Sequence, residues 1–212
     1  MIYQTIFHNE HFIVVDKAPN VLSVPSRLGR LDPRPCLGHI LEADLGKTIF
    51  PVHRLDYEVQ GLILFALTPA AQKAGNAWFE NKSITKTYSA ISKSSRAFNC
   101  NEIYEWKCIL LRGKKRAFES PHGKTSLTLA KLVLIDEFGF SHWELNPITG
   151  RAHQLRYELF RHNEVIVGDS LYGSLEKFTG DGIALRAFKI DFSKTKNRED
   201  FFLPENISTN KL

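Results

Sequence analysis

The chain alternates short apolar runs with polar breaks, a rhythm that fits strands better than helices. Phe12 to Val15 is apolar and β-branched, and Lys17-Ala18-Pro19-Asn20 after it has turn chemistry before a second extended piece, Val21 to Val24. A strand pair is therefore predicted to open the fold. Gly61 to Leu67 (GLILFAL) is almost wholly apolar and too short for a typical helix, the pattern of a strand buried on both faces. Thr85 to Ile91, Tyr104 to Leu111, Ser126 to Ile135, Phe140 to Leu145 and Ala184 to Phe192 are further β segments. Helical spacing occurs twice. Thr68 as N-cap and Pro69 at the first turn open a helix over 70–81, with Ala74, Ala77 and Trp78 on its apolar side. Arg151 to Arg161 sets Ala152, Leu155 and Leu159 on a second, narrower stripe. Because strands outnumber helices and do not alternate with them regularly, the class is α+β, with a mixed, mostly antiparallel sheet and flanking helices. One domain is expected over 1–204, and the polar end from Glu205 to Leu212 is expected to be a flexible tail.

Composition narrows the setting. With 43% hydrophobic residues and 15 Phe in 212, the chain can bury a core rather than remain disordered. Lys plus Arg is 28 and Asp plus Glu 23, a net charge of +5, which suits a polyanionic partner only if the cations are well placed. Cys36, Cys100 and Cys108 are odd in number and match neither a zinc site nor a redox pair, so a reduced, cytoplasmic protein is expected. No apolar run approaches the ~20 residues of a membrane span, and Met1 to Glu10 lacks signal-peptide character. No membrane partner and no obligate protein partner is expected. No Gly-rich phosphate or dinucleotide fingerprint and no nucleophile elbow is present. His8, Glu10 and His11, or His162 and Glu164, have no spacing that makes a metal site.

Two polar concentrations remain. His53-Arg54-Leu55-Asp56 lies immediately before the buried GLILFAL strand, and its ordinary reading is a loop ion pair of Arg54 with Asp56 or Glu58. Gly150-Arg151-Ala152-His153-Gln154-Leu155-Arg156 falls at a helix start, where an anion would be welcome, its ordinary reading being a solvated basic face. Basic loops occur at Arg27, Arg30 and Arg34 and at Arg112-Gly113-Lys114-Lys115-Arg116, the latter at a hairpin tip.

Taken in order, DKAPNVLSVPS (16–26), HRLDYEVQG (53–61), TKTY (85–88), TGRAHQLR (149–156) and GDSLYG (168–173) resemble the RluA-type family of pseudouridine synthases, over most of the chain. The resemblance implies a catalytic domain that isomerises a uridine of rRNA or tRNA without a cofactor, with RNA as the partner. It makes Asp56 the catalytic carboxylate, Tyr88 and Arg156 its companions, and Arg54 the residue that helps displace the target base. His53, Leu155, Arg151 and His153 join Arg54 on the substrate side. Two positions depart from the family pattern: Val59-Gln60 stands where Thr-Ser is usual, and Ala152 where Thr is usual.

Such chemistry needs an ionised carboxylate beside the ribose. Arg156 is the expected guanidinium partner that keeps Asp56 charged through two hydrogen bonds, so Arg156→Lys is expected to keep the fold and cut turnover. Tyr88 would stack on the flipped base with Leu155 as an apolar wall, while the basic loops, Arg27, Arg30 and Arg34 with Lys114, Lys115 and Arg116, would follow phosphates. With no separate small RNA-binding domain ahead of the first motif, recognition is expected from these loops or from a partner. The alternatives are an RNA-folding chaperone on the same fold, which Val59-Gln60 motivates, and an aspartate-based hydrolase.

Overall fold

The computed structural model describes residues 1–93 and 95–212. From the N-terminus the elements are β1 (Tyr3–His8), β2 (Phe12–Lys17), α1 (Leu37–Leu45), β3 (Phe50–Pro51), β4 (Gln60–Ala66) and α2 (Pro69–Glu80). They continue with β5 (Thr85–Lys93), β6 (Ile103–Arg112), β7 (Ala117–Glu119), β8 (Lys124–Ile135), β9 (Phe140–Pro147), α3 (Gln154–Arg161), β10 (Leu185–Asp191) and β11 (Asn206–Ser208). This is the α+β class that the hydrophobic pattern predicts. The chain gathers into two compact units, residues 1–85 with 187–210 and residues 86–186 with 211–212.

In the first unit the strand order is β1-β2-β4-β10, with β3 also on β4 and β11 on β10. The pairs β1–β2, β2–β4, β3–β4 and β10–β11 are antiparallel. β4 is buried along nearly its whole length, as its unbroken apolar run requires. Gly61 makes its entry possible: φ is +117°, and a Cβ there would lie 2.2 Å from the carbonyl oxygen of Ala187 on β10. α2 opens as predicted, with Thr68 Oγ1 accepting from Ala71 N–H and Pro69 in the first turn. Its buried stripe, however, is Ala71, Gly75 and Trp78, and Ala77 is exposed, because Gly75 rather than a side chain meets Val52. β2 pairs with β1 and β4, not with Val21 to Val24. That piece makes a single bridge, Leu22 with Cys36, and leads into α1. Elements also form within the predicted tail. There β11 pairs with β10, and Thr209 N–H donates to Phe188 O.

The second unit is a sheet of order β5-β9-β8-β6-β7, with every neighbouring pair antiparallel. β7 and β8 flank opposite edges of β6, so residues 120–123 cross over it, and a Cβ on Gly123 would lie 2.5 Å from the Leu110 carbonyl carbon. α3 begins at Gln154, three residues later than expected. His153 takes the left-handed conformation (φ +55°), and the Gln154 side chain turns back to accept from Arg151 N–H and Thr149 Oγ1. Ala152 therefore lies outside the helix and is exposed, while Leu155 and Leu159 are buried. Glu158 fixes the helix to the sheet. Its buried carboxylate accepts from Arg161 Nε (2.6 Å), Cys108 Sγ (3.3 Å) and Ser126 Oγ (3.4 Å), and burial beside it pushes the Cys108 thiol up to about 12. Cys36 is buried and Cys100 exposed, and all three thiols are free.

Candidate active site

In the first unit the motif alternates inward and outward ahead of β4. His53 faces in: its Nε2 accepts the Leu64 N–H (2.9 Å), so the ring caps a β4 donor and carries its own proton on Nδ1. Arg54 is exposed, Leu55 is buried and Asp56 half-buried. Two residues from the first motif tie down the backbone on either side of Asp56. Ser23 Oγ accepts from Leu55 N–H (3.0 Å) and donates to Leu55 O (2.8 Å), satisfying both backbone groups of the residue before it. Lys17, only 1% exposed at the end of β2, donates from Nζ to Ala18 O (2.8 Å), Val21 O (2.9 Å) and Tyr57 O (3.4 Å), the last being the residue after it. Val59 N–H closes a turn on Asp56 O (3.2 Å), and the Val59 side chain is buried. The loop is thus held by Ser23, Lys17 and an apolar anchor.

Sequence reasoning did not assign Ser23 or Lys17. The readable signal for Lys17 was a cation ending an otherwise buried strand, FIVVDK. Burial pushes its ammonium down to about 8, against the opposing pull of the Asp56 and Glu58 carboxylates. Between about pH 8 and the ordinary value of 10.5, the unfolded chain therefore holds a proton that the folded chain has released. Stability rises with pH wherever the unfolded state binds more protons. The difference in unfolding free energy between wild type and Lys17→Met is accordingly expected to shift toward wild type by about 1–3 kcal/mol across that window. Denaturant melts from pH 7.5 to 10.5 check this, and a flat or falling difference contradicts it.

In the second unit, Tyr88 is buried on β5 opposite Leu145, and Asn146 Nδ2 bridges Lys86 O (3.1 Å) and Thr87 Oγ1 (2.9 Å), pinning TKTY to β9. Arg156 is buried on α3 and grips Asp169 of GDSLYG with two bonds: Nε to Oδ2 is 2.7 Å and Nη2 to Oδ1 2.8 Å, both side chains 1% exposed. Neither charge could be buried alone, and each satisfies the other. A lysine can occupy one bond of that grip but not two. Arg156→Lys is therefore expected to lower stability by about 1–3 kcal/mol as well as turnover. Thermal melts beside activity test this, and an unchanged melting temperature would refute the stability part.

The remaining predicted residues in this unit fall near the start of α3 and in the β6–β7 hairpin. His153 Nδ1 lies 3.3 Å from the Tyr172 hydroxyl, which also accepts the Ala117 N–H (2.8 Å). Arg151 Nε donates to Thr125 O, and Leu155 is buried. Gly113 N–H to Arg116 O closes the hairpin, leaving Lys114, Lys115 and Arg116 exposed, with Arg116 over the Phe160 ring. In the first unit Arg27 and Arg30 are exposed, whereas Arg34 is held by Asp32 (2.9 and 2.7 Å) and lies over the Tyr57 ring (5.4 Å). Among the described residues no group of three or more His, Cys, Asp or Glu could hold a metal ion, and no helix is long and apolar enough to cross a membrane.

A family model described as RNA pseudouridylate synthase matches residues 11–161. An uncharacterized RNA pseudouridine synthase of Helicobacter pylori (strain J99) is 31% identical over 85% of this chain, which spans 62% of that protein's length. The dual-specificity RNA pseudouridine synthase RluA of Yersinia pestis is 30% identical, covering 81% of this chain and 82% of its own. The tRNA pseudouridine synthase C of Vibrio vulnificus is 27% identical over 89% of this chain and 84% of its own. Among solved structures, human RNA pseudouridylate synthase domain containing 1 superposes with a TM-score of 0.72 at 22% identity, covering 90% of this chain and 78% of that one.

Proposed function

The chain belongs to the RluA-type family of pseudouridine synthases, and from that premise we propose that it isomerises a uridine of rRNA or tRNA to pseudouridine, with Asp56 as the catalytic carboxylate. The observation that carries the reading is that the matched stretch contains Asp56 in a loop fixed at both neighbouring residues, by Ser23 and by Lys17, with the carboxylate itself half-buried. A carboxylate that must meet one ribose needs such a fixed backbone.

The reaction breaks the bond from uracil N1 to the ribose carbon and joins C5 of the same base to that carbon. Atoms and electrons balance within the nucleotide, since the hydrogen leaving C5 is matched by one gained at N1. Asp56 serves either route to the intermediate, attacking the electron-poor sugar carbon or taking a proton from the ribose. The base must leave its stack, at a cost of a few kcal/mol. Arg54, exposed beside Asp56, fills its place, Tyr88 stacks on the base, and Arg156 completes the catalytic set. Arg151 and His153 contact the substrate, and Lys114, Lys115 and Arg116 follow phosphates. The three free thiols support a reduced, cytoplasmic setting.

The test follows from the lost C5 hydrogen. Unmodified tRNA and rRNA transcripts carrying tritium at uridine C5 are incubated with the protein, and released tritium is counted while adduct-dependent reverse-transcription stops locate the base. Release matched by a new stop supports the reading. Tight binding of these RNAs without release would instead identify a non-catalytic RNA-binding protein.

A further inference from the structure

Between Val24 and Cys36 the chain forms a closed loop whose ends are joined by Leu22 N–H to Pro35 O (2.9 Å) and Leu37 N–H to Leu22 O (2.8 Å). Within it a 3-10 turn, Gly29–Leu31, is fixed by backbone bonds from Gly29 to Ser26 (2.9 Å), Leu31 to Leu28 (3.1 Å) and Asp32 to Gly29 (3.3 Å). No residue of the turn is buried. It presents Leu28 at 62% and Leu31 at 86% exposure. Arg27 and Arg30 are exposed beside them and make no ion pair among the described residues. Arg34, gripped by Asp32, lies over the ring of Tyr57, which follows Asp56 in the chain, so the loop is moored to the catalytic loop within the same unit.

We propose that Leu28 and Leu31 form an apolar wedge that packs against an unstacked RNA base beside the target uridine, with Arg27 and Arg30 on the flanking phosphates. This rests on the RNA-isomerase reading and names how its substrate is held. Three arginines against Asp32 leave the loop with a net charge of about +2, complementary to a polyanion. Apolar side chains rimmed by cations are the means by which proteins hold a partly unstacked nucleic acid. The wedge therefore selects RNA whose bases are already splayed, as in a loop, over a continuous duplex.

The two halves of the proposal have different signatures. Wild type, L28S/L31S and R27Q/R30Q are titrated, over a range of salt, with a uridine-containing hairpin RNA and with a fully paired RNA duplex of equal length. Wild type should prefer the hairpin. L28S/L31S should bind the hairpin about tenfold more weakly and the duplex as before, with an unchanged salt slope. R27Q/R30Q should weaken both and reduce the slope by about two. No hairpin preference in wild type, or a leucine variant that behaves as wild type on both RNAs, overturns the proposal. So does a dimer of wild type in sedimentation that L28S/L31S dissociates without change in RNA binding, which would make the leucines a contact between copies. Failure of the enzyme reading shows separately, as absent tritium release by wild type.

Discussion

Asp56→Asn is expected to fold and bind RNA as wild type does and to lose tritium release by roughly 10⁴-fold. The amide has the carboxylate's shape, so the substitution isolates charge and basicity. Hydrogen bonds through the backbone of Leu55, Tyr57 and Asp56 itself, to Ser23, Lys17 and Val59, place this loop, and the amide keeps all of them. An amide can neither attack a sugar carbon nor accept its proton, which removes both routes at once. Turnover within about tenfold of wild type would remove Asp56 from the chemistry. Loss of turnover with a lowered melting temperature would show a structural carboxylate instead. The same substitution takes away one of two negative charges opposing the desolvation of Lys17, so the lysine should release its proton at a lower pH in the variant.

Gly61→Ala should be the most destabilising small substitution in the first unit, by about 3–5 kcal/mol. Two costs add. At φ +117° an L-residue is strained even with space around it, and here a Cβ would stand 2.2 Å from Ala187 O and 2.6 Å from Ala187 N. Those are backbone atoms of a paired strand, which cannot swing aside as a side-chain tip would. Denaturant melts compared with Gly46→Ala, where φ is also positive but nothing lies within 4 Å, separate the contact from the dihedral. Equal losses at the two positions would mean that the approach of β10 to β4 is not what Gly61 serves.

What the sequence made legible follows the range of the forces involved. GLILFAL declares itself a core strand because every residue is apolar, and Thr68-Pro69 declares a helix start because its capping is local. β1 does not, since its residues are at most half-buried and what makes YQTIFH a strand is its pairing with β2 and the packing of Ile6 and Phe7 on the core. α1 has no side-chain N-cap and a glycine in its first turn, so only the burial of Leu37 and Leu41 marks it. The same distinction runs through the site. The segment holding Asp56 could be read from its neighbours in the chain. Its fixings could not, because Ser23 and Leu55 meet across 32 positions and Lys17 and Tyr57 across 40. The guanidinium of Arg156 needed an acid, and Asp169, 13 positions away, supplies two bonds to it. The burial of Asp169, which demands a cation, is a property of the folded chain alone.

The burial of two of the three thiols equips the protein for its own spectroscopy. Cys36 is enclosed at the start of α1, out of reach of a maleimide or iodoacetamide, and Cys108 is both buried and held as a thiol far above neutral pH. Cys100, exposed on the connection between β5 and β6, is left as the single labelling position in the native chain. A fluorophore placed there needs no mutagenesis, and it would follow RNA association in real time on the wild-type protein and on every variant considered above.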